Sequence, residues 1–362
     1  MNASSRRRLP EIRHILPQES TAEADLIERA FAAGPYGHLP KSAERRDFER
    51  DTAGRAASGA VLVSVDDAGR VTGSASVLRA ATPYSRVAVP GEAEIRLLAV
   101  DPGAQGAGLG EALMRASLEA ALEWGADALV LDTGAANTRA QSLYERLRFD
   151  RVPEREAAAS SADVEAHVYR YALQQRDDVR VRLMRADEAG FVSELVESAY
   201  AVDFTLTDDY RASIAAVGER ARDHQVWVAT DAASGALLGT VSTPRRGGAI
   251  SPLAREGELD FRFLGVAPEA RRRGIGALLV EHVLLLGRLR GVCRVVLNTG
   301  PEMVSAQRLY DRLGFERLHE REYHFTRSDG SSFLMLAYGR ESDDAEAATD
   351  AASDAASETS AA

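Results

Sequence analysis

An α/β chain of two tandem domains, each a mixed central β-sheet flanked by helices, is what the sequence predicts, and three observations predict it. The chain has 362 residues, more than one hydrophobic core organises well, so length alone favours two units. The sequence matches itself at an offset of 166 residues, far beyond the period of a solenoid repeat, so the repeated unit is a whole domain. Within each copy a strand, a glycine-bearing loop, a helix and a further strand follow one another, the order of a crossover unit in an α/β sheet.

The self-match needs no gap across its best stretch. Arg96-Leu-Leu-Ala-Val-Asp-Pro102 lies over Arg262-Phe-Leu-Gly-Val-Ala-Pro268, and Leu131-Asp-Thr-Gly134 over Leu297-Asn-Thr-Gly300. Ala140, Leu143 and Tyr144 lie over Ala306, Leu309 and Tyr310. Each copy opens with a short strand (Glu11 to Ile15; Val179 to Leu183) and continues with helical pattern near Ala22 to Ala32 and Glu188 to Ala199. Two apolar runs split by an Asp/Gly turn read as a hairpin in each copy: Ala60 to Val65 with Val71 to Val77, and Val226 to Thr230 with Leu237 to Ser242. A strand then ends at Val100 or Val266. The helix after the loop carries apolar residues at helical spacing, among them Leu109, Leu113 and Ala116 in one copy and Ile275, Leu279 and Val283 in the other. Each helix runs to a glycine, Gly125 or Gly291, and a new strand begins.

These readings give domains at 9–174 and 179–340 with a polar linker at 175–178, a disordered start at 1–8 and a disordered acidic tail at 341–362. The tail explains most of the formal charge of −11: it holds seven acidic residues and no basic ones, leaving −4 for the rest. Alanine, serine and threonine fill it otherwise, too little apolar surface to offset the entropy of ordering. The whole chain is 45% hydrophobic and 27% charged, without the apolar run of about 20 residues that spans a bilayer or an h-region after Arg6, Arg7 and Arg8. The expectation is a cytoplasmic protein, monomer or homodimer, with no membrane partner. No basic stripe interleaved with aromatics appears, which argues against a nucleic-acid partner. Cys293 cannot form an internal disulfide, being the single cysteine, and its apolar neighbours suggest a strand near the core.

Chemistry enters at the loops. The first is Gln105, Gly106, Ala107, Gly108, Leu109 and Gly110; the second is Arg271, Arg272, Arg273, Gly274, Ile275 and Gly276. Both have the form Q/R-x-x-G-x-G, and a helix starts at once. Glycines there let consecutive N–H groups and the positive helix end point at one anion, so a pyrophosphate fits. A flexible turn is the plain reading of either loop taken singly, and duplication favours the functional one. A dinucleotide is the rival ligand, with Asp132 placed like a ribose ligand. Glycine spacing, Asn298 in place of that aspartate, and the unit's late position in each domain count against it.

The loops resemble the acetyl-CoA loop of the GCN5-related N-acetyltransferase (GNAT) superfamily, and a helix further on resembles that family's second signature, N-x-x-A-x-x-L-Y-x-x-x-G-F. The first copy reads Asn137 to Phe149 and puts Arg148 at the glycine; the second reads to Phe315, keeps Gly314 and has Met303 where Asn is expected. Loop and tyrosine stand 39 residues apart in both copies. The resemblance covers nearly all of residues 9–340. It implies acetyl-CoA as acyl donor, no metal, and a small-molecule or protein amine as acceptor.

An alkyl amine is protonated at neutral pH and cannot attack a thioester, so a base is needed. Glu94 stands where the histone-acetylating branch of the superfamily resembles having its general base, and Asp260 is its shorter counterpart; pairing with Arg96 and Arg262 at a sheet edge is the alternative. The resemblance places oxyanion contacts on the backbone of Leu98 to Val100 and Leu264 to Val266. It makes Tyr144 and Tyr310 similar to the tyrosine that protonates the departing thiolate, and gives Asn137 the pantetheine arm. His319 and His324 read as a polar strand or loop rather than a metal site, because histidines five apart on an extended segment do not converge. Gly34 to Leu39 and Ala201 to Tyr210, which differ between halves, are the expected acceptor linings. A non-catalytic CoA-binding regulatory or scaffolding protein, as among tandem members that include the mycothiol-synthase type, is the alternative function.

Overall fold

The computed structural model describes residues 11–201, 207–326 and 330–342. They divide into two compact units, Met1–Gln174 and Gln175–Ala362. No helix among them is long and apolar enough to cross a membrane. Glu341, expected in the disordered tail, instead closes the last strand beside Arg294; the tail beyond Ser342, the first ten residues and 202–206 of the expected acceptor lining lie outside the described residues.

In the first unit β1 (Ile12–His14) leads through α1 (Ser20–Ala32), α2 (Ala43–Arg50) and α3 (Thr52–Ala57) to β2 (Gly59–Val65), β3 (Val71–Arg79) and β4 (Glu92–Val100). Then come α4 (Leu109–Glu123), β5 (Ala128–Gly134), α5 (Thr138–Arg146), β6 (Asp150–Arg151), α6 (Glu156–Ala159) and β7 (Ala166–Ala172). The strands form one seven-stranded sheet in the order β1-β2-β3-β4-β5-β7-β6. Only β4 and β5 run parallel among its pairs, as a helical crossover requires. The sheet is therefore mixed.

The second unit repeats the plan with β8 (Val179–Leu183), α7 (Ala189–Ala201), α8 (Asp208–Ala215), α9 (Val217–Asp223), β9 (His224–Asp231) and β10 (Leu237–Pro244). β11 (Glu258–Asp260), β12 (Arg262–Val266), α10 (Ile275–Arg290), β13 (Arg294–Thr299), α11 (Val304–Arg312), β14 (Glu316–Arg317), β15 (Tyr323–Thr326) and β16 (Ser332–Glu341) complete it. Where the first unit has one continuous β4, the second has two strands. β11 pairs with β13 and β12 with β10, so the sheet divides there.

Local chemistry explains the shared elements. The hairpin turns are closed by Asp66 and Asp231, whose Oδ1 atoms accept N–H bonds from Ala68 and Arg70, and from Ala233 and Ser234. Gly69 and Gly235 supply the left-handed residue each turn needs. α4 and α10 bury their apolar faces, with Leu113 and Leu279 fully covered, and both end in the same way. Ala126 N–H reaches the Ala121 carbonyl and Val292 N–H the Gly287 carbonyl, across left-handed Gly125 and Gly291. Cys293 differs from expectation: it is half-buried, stands just before β13, and its Sγ lies 3.2 Å from the Gly257 carbonyl.

Candidate active site

Each unit opens its sheet at the same place. In β4 the pairing with β5 runs from Glu92 beside Ala128 to Ile95 beside Leu131 and stops. Beyond it the chain bulges against β3 between Ser74 and Ser76, with Leu97 held at φ 56°. The counterpart Phe263 has φ 54°, and the β10–β12 register shifts between Thr240 and Ser242. A side chain in the left-handed region costs about 1–2 kcal/mol, and the bulge re-aims the strand where pairing ends. Leu98 and Val100, like Leu264 and Val266, therefore lie half-buried on a strand paired on one side.

The glycine loop follows. Gly108 (φ 82°) and Gly274 (φ 78°) are left-handed N-caps of α4 and α10, and neither helix start carries a side-chain cap. The first-turn amides are thus unclaimed by side chains, as an anion site needs. Leu109 and Ile275 point their side chains into the core, so only their backbone can serve a ligand. Gly110 and Gly276 are close-packing positions: a Cβ there would stand 3.5 Å from Leu143 and 3.3 Å from Leu309. Gly106 has φ 82°, and its counterpart Arg272 accepts φ 62° with a side chain.

Two of the three arginines of the second loop are engaged by protein groups. Arg271 donates to the Ala199 carbonyl at 2.8 Å. Arg273 stands 3.4 Å from Asp231 and 3.8 Å from Asp178. In the first unit Arg139 donates to the side chain of Gln105, bringing a positive charge to a loop that has none of its own. The electrostatic contrast between the loops is accordingly smaller than three charges, because salt partners and a neighbouring helix redistribute it.

Tyr144 and Tyr310 are the most alike of the matched pairs. Both are buried on α5 and α11. Tyr144 packs on Tyr169 and Phe149 with centroids at 5.4 and 6.1 Å; Tyr310 packs on Tyr338 and Phe315 at 5.9 Å each. Burial pushes both phenols well above their ordinary range, so each keeps its proton at neutral pH. Asn137 donates to Thr133 Oγ1 at 3.2 Å; in the other unit Met303 faces Gly300 instead. Tyr36, within the expected acceptor lining, lies against Gly134 and accepts from Ala136 N–H.

The carboxylates differ more. Glu94 is fully buried, and its Oε2 accepts from the N–H groups of Arg86, Val87 and Ala88 at 2.6–3.0 Å. Its Oε1 has no hydrogen-bond partner and lies 3.8 Å from Arg96 Nε. Desolvation is the largest influence on Glu94 and raises its pKa above the usual carboxylate range against those backbone bonds. Asp260 spends both oxygens, Oδ1 on Ile250 N–H at 3.0 Å and Oδ2 on Ser251 Oγ at 2.7 Å. Both residues thus anchor the loop that precedes their strand, and only Glu94 has an oxygen left over.

Sequence reasoning missed a second charged group where the first sheet stops pairing. Asp132, weighed there only as a ribose ligand, pairs with Arg86 and is close enough to act on the charges of Tyr144 and Arg96. Its side chain is 16% exposed. No sequence signal could have found it, since its neighbours come from β4, α5 and the loop before β4. His319 lies in a single helical turn and His324 in β15; among the described residues no group of three or more His, Cys, Asp or Glu is arranged to hold a metal.

Two family models match the chain: one described as Acetyltransferase (GNAT) family over residues 24–149, and one described as Acetyltransferase (GNAT) domain over 222–317. Among curated relatives, N-acetyltransferase family 8 member 3 of Rattus norvegicus is 35% identical over 88 residues, 24% of this chain and 39% of that protein. Mycothiol acetyltransferase of Salinispora arenicola is 38% identical over 127 residues, 35% of this chain and 39% of that protein. The chain spans less than half the length of these relatives. A solved structure, the ribosomal-protein-S18-alanine N-acetyltransferase from Escherichia coli, aligns over 45% of this chain and 94% of its own at 19% identity and a TM-score of 0.34.

Proposed function

As this chain belongs to the GNAT acetyltransferase family and carries its domain twice, we propose that it moves an acetyl group from acetyl-CoA to a primary amine by direct attack on the thioester, and that the N-terminal half performs the transfer. The observation that carries the assignment is the buried Glu94 oxygen without a partner, set against an Asp260 whose two oxygens are both engaged.

The residues fit the donor. Uncapped amides at the start of α4 suit a pyrophosphate, and the one-sided strand Leu98 to Val100 offers backbone groups to an extended arm. Acetyl-CoA supplies the activated acyl group. Glu94 takes up the proton the ammonium must lose, through water, since the carboxylate itself is covered; its raised pKa brings it nearer the working range of a base. The amine nitrogen then bonds to the acyl carbon, with backbone N–H groups near the bulge facing the developing oxyanion. As the carbon–sulfur bond breaks, Tyr144 delivers its proton to sulfur, and the surplus proton shed by the new amide nitrogen returns to Tyr144 through water. In the C-terminal half Tyr310 and the glycine loop are kept, but a base would have to come from elsewhere than Asp260.

Thiol release from acetyl-CoA by the full chain, measured across a panel of primary amines, tests this. Glu94→Gln lowers kcat by about 10²-fold, whereas Asp260→Asn lowers it less than tenfold. Equal losses in the two variants, at matched melting temperatures, would reassign the transfer.

A further inference from the structure

The first unit places charges of both signs at the point where its sheet opens. Continuing the β4–β5 register by one step beyond Ile95 and Leu131 puts Arg96 beside Asp132, the first pair the strands do not join. Arg96 is 17% exposed at its side chain; its Nη1 donates to the Tyr84 carbonyl, and its Nε stands 3.8 Å from Glu94 Oε1. Its remaining donors carry no hydrogen bond to the described residues. Asp132 uses one oxygen on Arg86 and keeps Oδ1 without a partner among the described residues. Aromatic rings close one side: Phe48 lies under the Arg96 guanidinium at 4.1 Å and stacks on Tyr84 at 5.9 Å.

We propose that the acceptor of the N-terminal half is a small amine bearing a carboxylate beside its amino group, an α-amino acid, with Asp132 receiving the ammonium end and Arg96 the carboxylate. The assignment rests on the transfer reading above and sharpens it. The two strands set an acid and a base side by side, one for each end of a zwitterion. Arg45, whose guanidinium sits over the Phe48 ring at 5.7 Å and pairs with Glu49 at 2.6 Å, and Arg86, paired with Asp132, stand near the same point. Burial and these like charges hold the Arg96 pKa down to about 10 against Glu94 and Asp132, so an added anion relieves the site. A polyamine offers an ammonium to Asp132, as an amino acid does, but brings no anion to the guanidinium groups. An amino acid offers one negative group to them and its ammonium to Asp132. The second unit has Asn298 in place of Asp132, its Nδ2 donating to the Leu336 carbonyl, and so lacks the acidic member.

The test is the rate of acetylation by the full chain for matched triples: an amino acid, its amide and its decarboxylated amine, such as leucine, leucinamide and 3-methylbutylamine, repeated across the common amino acids and with spermidine. For the preferred side chain, kcat/KM for the acid exceeds that for the amide and the amine by about 10–100-fold, the value of one charge-assisted contact. Arg96→Met brings that ratio below about threefold, and Arg96→Lys keeps most of it. Circular dichroism confirms that both variants fold. If amide, amine or spermidine equals or outruns every acid, the acceptor assignment is wrong while the transfer reading stands. If no amine at all is acetylated, both fall together.

Discussion

Glu23 and Arg55 face each other with wholly buried side chains, Nη2 to Oε2 at 2.8 Å and Nη1 to Oε1 at 3.0 Å, between α1 and α3 over the middle of the first sheet. Thr52 and Ser74 also donate to Glu23, and Arg55 reaches Ser76 Oγ and the Glu49 carbonyl. Charges this deep persist only when their partners are supplied, because desolvation of either ion alone costs several kcal/mol. Removing one member, as in Arg55→Met, strands the other and destabilises the chain by about 3–5 kcal/mol. The double variant Glu23→Leu with Arg55→Met loses distinctly less. Urea denaturation of the full chain reads both, and additive losses would contradict the coupling.

Arg148 sits at φ 64° where its counterpart Gly314 sits at φ 74°. A Cβ in that region strains the backbone by about 1–2 kcal/mol, partly offset by the greater unfolded-state freedom of glycine. Arg148→Gly accordingly stabilises the chain by about 0.5 kcal/mol, and Gly314→Ala destabilises it by about 1 kcal/mol. Paired melting curves show opposite signs.

Tyr144 keeps its proton at neutral pH, and its hydroxyl has no hydrogen-bond partner among the described residues. Tyr144→Phe removes that proton and lowers kcat by about 10²–10⁴-fold with little change in acetyl-CoA affinity. Tyr310→Phe lowers it less than tenfold if transfer belongs to the first half. Steady-state rates with calorimetric affinities separate the two effects.

His282 lies edge-on to Trp227 at 4.4 Å, buried, with Nε2 unpartnered. Burial, helped by Arg290, holds its pKa down to about 3 against 6.5 when free. The folded form stays neutral while the unfolded chain takes a proton below 6.5, so the unfolded state binds more protons between those limits. Stability contributed by neutral His282 is complete above pH 6.5 and falls as pH drops toward 3, by at most about 1.4 kcal/mol per pH unit. His282→Gln flattens that slope in denaturation curves measured from pH 7 to 4; an unchanged slope would place the titration elsewhere.

The sequence by itself determined the duplication, the order of strands and helices, the glycine loops and the tyrosine helices. Those features are local: a hydrophobic period, a left-handed glycine and a helix start are written in neighbouring residues, and two copies at one offset make them readable. Arg148 and Met303 were visible there as departures. Tertiary structure decided what the side chains are worth. Glu94 and Asp260 align in sequence, yet one keeps a free oxygen and the other does not, because loops of different composition fold back on them. Arg271 and Arg273 stand together in the second glycine loop, yet packing ties one to the Ala199 carbonyl and the other to Asp231. Asp132 and Arg96, 36 residues apart, meet only because a parallel register brings β4 and β5 together and a bulge then parts them. Hydrogen-bond saturation and cross-strand proximity depend on atoms distant in the chain, so only the packed structure could set them.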